Sequence, residues 1–330
     1  MKKYKIAIDV MGNDSAPEVL VNGAIDALEE NEELEVALFG NEEIIRAVLQ
    51  EREADIARVE IIGTSQVINN HDNPMEAIFT KTDSSLVKAL VALSEREDIL
   101  GLINGGSTGA LIGGALRYNP SKVPTRPALA ATLPSESGGF TCIVDMGANI
   151  DCTPSQLVGF ARQGTEFMRR FYSIESPRVG LLSNGSEETK GNKLVKETHK
   201  LLKEAEGINF VGNIEGNRAI SGDCDVLVAD GFAGNQVFKA SEGIAIRLIT
   251  DIVKYAKKTG SGEIMGLVKH LMGIYDFSAL GGGIVLGVGK PIIKARGECS
   301  SDSIKNTSSM LLNMLKNQHL FEGRDTRDGN

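Results

Sequence analysis

Short runs of β-branched and aliphatic residues alternate along this chain with longer segments in which apolar positions recur every three or four residues. The short runs predict strands at 4–9, 34–39, 59–62, 99–103, 140–145, 178–183, 208–212, 224–229 and 291–295. Several are apolar almost throughout, the pattern of strands covered on both faces. The longer segments predict helices at 17–31, 42–57, 74–97, 108–118, 153–173, 190–206, 234–258 and 300–320. In 153–173, Leu157, Phe160, Ala161, Gly164, Phe167, Met168 and Phe171 mark one buried stripe. Alternation of this kind predicts an α/β fold, three α/β/α layers around a mostly parallel sheet. No solenoid-length repeat and no Pro/Ser-rich linker interrupts it, so 1–330 reads as one domain with room for a cleft between two lobes. Two stretches stand apart. Residues 251–283, broken at Gly260-Ser261-Gly262, read as a projecting helical hairpin, and 322–330 read as a frayed, charged tail.

Composition narrows the class. With 42% hydrophobic and 24% charged residues over 330 positions, the chain has the makings of a large packed core and not of a disordered segment. The net charge of −9 argues against general nucleic-acid binding, which needs a basic face. The segment Lys2–Asp9 reads as a strand and lacks the apolar core of a signal peptide, and no run approaches the ~20 apolar residues of a spanning helix. A cytoplasmic protein, or one peripheral to the inner face of the membrane, is expected. Cys142, Cys152, Cys224 and Cys299 show no Cys-x-x-Cys spacing and read as reduced thiols.

The chemistry gathers where predicted strands end. There the sequence repeats a small vocabulary of Gly, Asn, Asp, Ser and Thr: Asp9–Pro17, Asn104–Gly109, Asp145–Asp151, Asn184–Asn192 and Asp230–Asn235. Capping of the following helix explains any one of these loops. Five on one edge of a parallel sheet suggest more, because ligands bind beyond the carboxyl ends of the strands and helix N-termini offer free N–H donors to anions. Ser107-Thr108-Gly109 is the best phosphate cradle, and Lys190, backed by Gly191, the best point charge. Familiar fingerprints are missing: there is no Gly-x-x-x-x-Gly-Lys-Ser/Thr, no Gly-x-Gly-x-x-Gly after the first strand and no Gly-x-Ser-x-Gly. His71, His199, His270 and His319 lack metal-ligand spacing and read as surface or helix residues. A small anion, handled without metal or obvious covalent catalysis, fits best.

These loops, in this order, resemble the phosphate acyltransferases of bacterial phospholipid synthesis (the PlsX family). The likeness runs through Asp9–Pro17, Ser107–Leu111, Arg126–Leu129 with Thr132–Pro134, Asp145–Cys152, Pro177–Leu182, Glu188–Asn192, Asp230–Asn235 and Gly289–Ala295. The chain departs from the family pattern at Ser107, at Thr153 and around Arg296–Asp302. The resemblance implies a fold similar to phosphotransacetylases and the isocitrate/isopropylmalate dehydrogenases, in a homodimer. It implies conversion of acyl carrier protein thioester and inorganic phosphate to acyl phosphate, with no cofactor. A membrane glycerol-3-phosphate acyltransferase is the partner expected to receive the product.

On that reading Ser107, Thr108 and the amides up to Gly109 hold phosphate, while Lys190 and Asn192 offset charge. Asn149 and Asn235 orient phosphate or polarise the carbonyl. Asp9, Asp145 or Asp230 accepts a proton or orients Lys190, with loop capping as the plain alternative for all three. Leu111, Ile112 and Leu116 either line an acyl groove or belong to the core. Arg117, Lys122 and Arg126, or Arg169 and Arg170, are candidates for a basic patch toward an acidic carrier. The second helix of the hairpin is apolar enough to pack a dimer or to touch a membrane. The competing readings are an acyl-CoA-using phosphotransacetylase, a decarboxylating dehydrogenase and a non-catalytic carrier or membrane docking module.

Overall fold

The computed structural model describes residues 2–123, 125–136, 138–275 and 282–317. In chain order its elements are β1 (Tyr4–Asp9), α1 (Pro17–Glu30), β2 (Leu34–Gly40), α2 (Glu42–Glu51), β3 (Val59–Gly63), α3 (Pro74–Thr80), α4 (Ser85–Glu95), β4 (Ile99–Asn104) and α5 (Thr108–Tyr118). There follow β5 (Ala128–Pro134), β6 (Phe140–Val144), α6 (Pro154–Tyr172), β7 (Arg178–Ser183), α7 (Lys193–Glu204), β8 (Asn209–Glu215) and β9 (Val226–Val228). The series ends with α8 (Gly231–Thr259), α9 (Gly262–Tyr275), β10 (Gly283–Leu286), β11 (Ile292–Lys294) and α10 (Ser301–Asn317).

The chain divides into two compact units, one comprising Met1–Leu129, Arg170–Ser173 and Gly281–Asn330, the other Ala130–Arg169 and Ile174–Leu280. The sequence reads as one domain with room for two lobes, but does not mark where they divide, because the first boundary falls inside β5 and not in a linker. In the first unit the strands lie in the order β3-β2-β1-β4-β11-β10, parallel except for the β10–β11 pair. Register aligns Asp9 with Asn104 and Asn104 with Lys294, so three polar residues form one row at the carboxyl ends of β1, β4 and β11. Ile6, Ile8, Val36, Leu38 and Leu102 are buried beneath that row. Helix α1 begins with Pro17 in its first turn and buries Leu20, Ala24, Ile25 and Leu28, a stripe at helical spacing.

In the second unit the order is β5-β6-β9-β7-β8, with β5 antiparallel to β6 and the remaining pairs parallel. The three successive parallel strands β6, β9 and β7 send their loops out at the same edge. Helix α6 buries Leu157, Phe160, Ala161, Gly164, Phe167 and Met168 of the predicted stripe, while Phe171 at its end is half-buried.

Some expectations need correction. The single helix at 74–97 is two, because Ser84 caps α4 through Val87 N–H and Lys81–Ser84 turns between them. Helix α7 starts at Lys193 and not at 190, since Lys190–Asn192 belong to the loop and the cap. Strands β5 and β10 were not anticipated: Ala-Leu-Ala-Ala-Thr-Leu-Pro is poor in β-branched residues, and Gly283–Leu286 follows a glycine run that reads as hairpin turn. Helices α8 and α9 break at Gly260 and Ser261, where the hairpin is expected to turn; its 276–281 portion and the 322–330 tail lie outside the described residues. Among the described residues no helix is long and apolar enough to cross a membrane.

Candidate active site

In the second unit, Asp145 follows β6 directly and is fully buried, and its backbone N–H continues the ladder to Ala229 O at 3.0 Å. Its carboxylate then turns back on its own loop. Oδ1 accepts from Ala148 N–H at 3.1 Å, and Oδ2 from Asn149 N–H at 2.6 Å and the Asn149 amide Nδ2 at 2.9 Å. A carboxylate held by several N–H groups stabilises a tight loop while its charge is met by dipoles. The loop presses against the start of α8. A Cβ on Gly234 would stand 2.0 Å from Asp145 O, so only glycine allows this approach. Asp230 caps α8 by accepting from Ala233 N–H at 2.8 Å, and Asn235 donates through Nδ2 to Met146 O at 3.2 Å. Asp145, Asn149, Asp230 and Asn235 are thus one connected cluster, with loop-holding work assigned to both aspartates.

The neighbouring loop, Asn184–Asn192 after β7, carries the cation. Lys190 is exposed, and its ammonium makes no hydrogen bond or ion pair among the described residues. Its backbone N–H donates to Glu187 O at 3.0 Å, and Gly191 N–H donates to Asn184 Oδ1 at 2.8 Å. Gly191 adopts φ +93°, a left-handed conformation that suits glycine, and a Cβ there would lie 2.4 Å from Val195 Cγ1. Asn192 caps α7 by accepting from Val195 N–H at 2.9 Å. An exposed positive charge thus stands three residues ahead of a capped helix N-terminus, and helix starts of this kind favour anions.

In the first unit, Ser107 caps α5 and is nearly buried; its hydroxyl accepts from Ala110 N–H at 3.5 Å, a weak contact. Thr108 is half-buried and Gly109 exposed. Asp9 is buried, its Oδ1 accepting from Met11 N–H at 3.0 Å and its Oδ2 from Asn104 Nδ2 at 2.8 Å, with a further hydrogen bond from Ser85. Burial pushes its carboxyl up to about 6, with those three hydrogen bonds acting the other way. Next in the row, the buried Lys294 donates to Gly105 O at 3.1 Å and Ala295 O at 2.5 Å. Asn13 donates to Gly105 O at 3.2 Å and Arg296 O at 2.9 Å, and the Ser15 hydroxyl donates to Cys299 O at 2.8 Å. The divergent Arg296–Asp302 segment is therefore stitched to the first strand-end loop.

Several expectations fare differently. Leu111 is fully buried, which makes it a core residue and not a groove wall, whereas Leu116 is 52% exposed. Arg117 stacks on Phe79, 4.4 Å from the ring centroid, and on Tyr118 at 5.2 Å, and the Arg169 guanidinium donates to Glu175 O at 2.9 Å. His199 lies on a helix, as one of its two readings has it, and is buried there on α7. Lys294 and Asn213 carry no signal of their own, Asn104 reads only as the start of a loop and His199 only as a helix or surface residue, because nothing local in the sequence announces these long-range contacts. The apolar cavity lies in the second unit: about 440 Å³, walled by Ile244, Leu248, Ile249 and Ile252 of α8 and by Leu271 and Tyr275 of α9, with Ser241 at its near end. Ser241 stands ten residues along α8 from Gly231, about 15 Å at helical rise.

A family model described as fatty acid synthesis protein matches residues 4–320. A phosphate acyltransferase from Thermoanaerobacter pseudethanolicus is 38% identical over 96% of this chain and 95% of its own length. Another, from Lactococcus lactis subsp. cremoris, is 41% identical over 94% of this chain and 95% of its own. Among solved structures, the EutD phosphotransacetylase from Staphylococcus aureus aligns with a TM-score of 0.61 at 15% identity, covering 96% of this chain and 94% of that one. That last likeness is one of fold.

Proposed function

The chain belongs to the fatty acid synthesis protein family, as a phosphate acyltransferase, and on that premise we propose that it moves the acyl group of an acyl-[acyl carrier protein] to inorganic phosphate. The products are acyl phosphate and free carrier protein, and the step serves phospholipid synthesis. The observation that carries this reading is the Lys190 loop: an exposed ammonium, unpaired among the described residues, three residues ahead of α7, in a chain whose relatives are named phosphate acyltransferase.

A phosphate oxygen attacks the thioester carbonyl carbon. The tetrahedral oxyanion collapses with cleavage of the C–S bond, and the thiolate leaves and takes up a proton. The protein's part is positioning and charge stabilisation. Lys190, with Gly191 and the capped helix start at Asn192, meets the negative charge. Asn149 and Asn235 are the neutral donors of the adjacent cluster. Ser107, Thr108 and Gly109 remain the first unit's candidates for holding phosphate. Asp9, Asp145 and Asp230 hold loops in shape.

The α8–α9 cavity suits an acyl chain. At ~0.8 kcal/mol per methylene, burial of about fifteen methylenes contributes on the order of 10 kcal/mol gross. The cavity's walls continue onto exposed Ile244, Leu248, Leu267 and Met272, apolar surface that a second copy of the chain or a lipid surface covers. We read the working form as a cytoplasmic homodimer at the inner face of the membrane, handing acyl phosphate to a membrane glycerol-3-phosphate acyltransferase.

The test is phosphate-dependent release of carrier thiol from a long-chain acyl carrier protein, with acyl-CoA as the comparison donor. Release requiring phosphate and yielding acyl phosphate supports the reading; preference for acyl-CoA replaces the carrier with a phosphotransacetylase-type donor. Lys190→Ala, folded normally, is expected to lose on the order of 100-fold in turnover. A near-normal rate in that variant rejects the assignment of Lys190.

A further inference from the structure

The buried polar pair beneath the Lys190 loop belongs to no part of the mechanism above. His199 sits on the inner face of α7 and Asn213 on β8, and both are 5% exposed. His199 Nδ1 lies 2.9 Å from Asn213 Oδ1, and Asn213 Nδ2 donates to Glu187 O at 2.8 Å. The second contact fixes the amide's orientation, since the reverse would set two acceptors face to face. The imidazole therefore carries its hydrogen on Nδ1 and donates it to Asn213. The same Glu187 carbonyl receives the backbone N–H of Lys190 at 3.0 Å. A continuous chain thus runs from α7 through β8 to the main chain of Lys190, using one acceptor for its last two links. The Phe210 ring meets the imidazole edge-on at 5.0 Å and helps to seal it from water. The other imidazole nitrogen is 3.7 Å from Glu188 Oε1, which itself accepts from Lys203 at 2.8 Å.

The placement matters because the contact meets the loop's main chain beside Lys190. Residues 186–190 are exposed, and among the described residues the loop is tied by the Asn184 and Asn192 contacts, by Lys203 and His199 at the Glu188 carboxylate, and from β8 at the Glu187 carbonyl. A loop that must present a long, unpaired lysine gains accuracy from a support whose own members are buried and mutually locked. Burying an imidazole and an amide is costly unless both are hydrogen-bonded, and here each bond is made toward the loop.

We propose that His199 and Asn213 are positioning residues that set the height and direction of the Lys190 loop. The proposal rests on the reading of Lys190 as the charge that meets phosphate. It concerns two residues that touch no reacting atom and reach the loop through the Glu187 carbonyl, with His199 also facing the Glu188 carboxylate.

The experiment uses the full chain with long-chain acyl carrier protein and inorganic phosphate. Asn213→Ala and His199→Leu are expected to lower kcat/KM for phosphate by about 10- to 100-fold. Asparagine at 199 offers a donor where Nδ1 stood, so His199→Asn is expected to recover most of the loss. In a Lys190→Ala background, Asn213→Ala is expected to cost nothing further, because the support has nothing left to position. Hydrogen exchange of the peptide spanning 184–193 supplies a readout independent of turnover: the Lys190 amide is expected to lose protection in Asn213→Ala. Unchanged protection, or additive losses with Lys190→Ala, overturns the positioning role. A dead Lys190→Ala beside near-normal Asn213→Ala and His199→Leu rejects the support alone. A near-normal Lys190→Ala rejects the reading of Lys190 on which the support depends.

Discussion

Replacing Asp9 by Asn removes one buried charge while keeping the shape of the side chain and most of its hydrogen bonds. The carbonyl of the new amide still accepts from Met11 N–H, and its NH₂ faces Asn104. Asn104 accommodates the change by turning its own amide, because its Oδ1 is buried with no partner among the described residues. The electrostatic consequence has a definite sign. Burial raises the Asp9 carboxyl from 3.8 to about 6, so between those values the folded state holds a proton that the unfolded state has released. Stability from this group is therefore fully present below about pH 4 and falls as pH rises through 6. Over the whole shift the loss is about 3 kcal/mol; between pH 4.5 and 7.5 it is roughly 2 kcal/mol. Asp9→Asn carries no such slope. Scanning calorimetry of both proteins at pH 4.5 and 7.5 measures the difference, and Asp9→Asn is expected to gain on the order of 4 °C relative to the parent between the two. Parallel profiles, or a variant that loses ground at neutral pH, refute the claim that burial dominates at Asp9.

Two further perturbations probe the second unit. Gly191→Ala forces a side chain onto φ +93° and against Val195, and is expected to cost about 1–3 kcal/mol in thermal unfolding, with a loss of turnover from displacement of Lys190. A variant as stable and as active as the parent contradicts the loop geometry. Leu248→Trp fills part of the α8–α9 cavity, and exclusion of about two methylenes costs on the order of 1.6 kcal/mol, or about fifteenfold in kcat/KM for the longest acyl donors. Short donors are expected to be unaffected. A uniform change across chain lengths removes the acyl chain from that cavity.

Most of the scaffold was legible because its signals are local. Strands β1, β2, β4 and β7 are runs of aliphatic residues, and α6 announces its inner face at three- and four-residue steps. The loops were legible too, since Gly, Asn and Asp mark turns and caps whatever surrounds them. The supports of those loops were not. Asn104 reaches Asp9 across 95 residues of sequence, and Lys294 reaches Gly105 across 189, through strand register alone. His199 looked like one more polar position on a helix that also carries lysines at 193, 196, 200 and 203. Its burial follows from where β8 lies, which no local pattern states. The same limit applies to β5, whose alanines fit a strand only because β6 pairs with it.

Three aspartates at strand ends proposed to handle an anion look self-defeating, and in each unit the hydrogen bonds show how the carboxylates are met. In the second unit Asp145 faces two backbone N–H groups and an amide, and Asp230 faces the first turn of α8, so each carboxylate is met by dipoles. In the first unit burial pushes Asp9 toward its neutral form, with Lys294 two strands along the same row. Both devices tie the loops tightly without projecting a strong negative field beyond the strand ends. Lys190 is treated in the opposite way, left exposed and unpaired on a loop braced from beneath. A carboxylate within ion-pairing distance would hold its ammonium and weaken its attraction for phosphate. On the proposed reading, bracing the main chain through Glu187 sets where the lysine starts while its charge stays available to phosphate, and acidic strand ends and a phosphate site are then compatible.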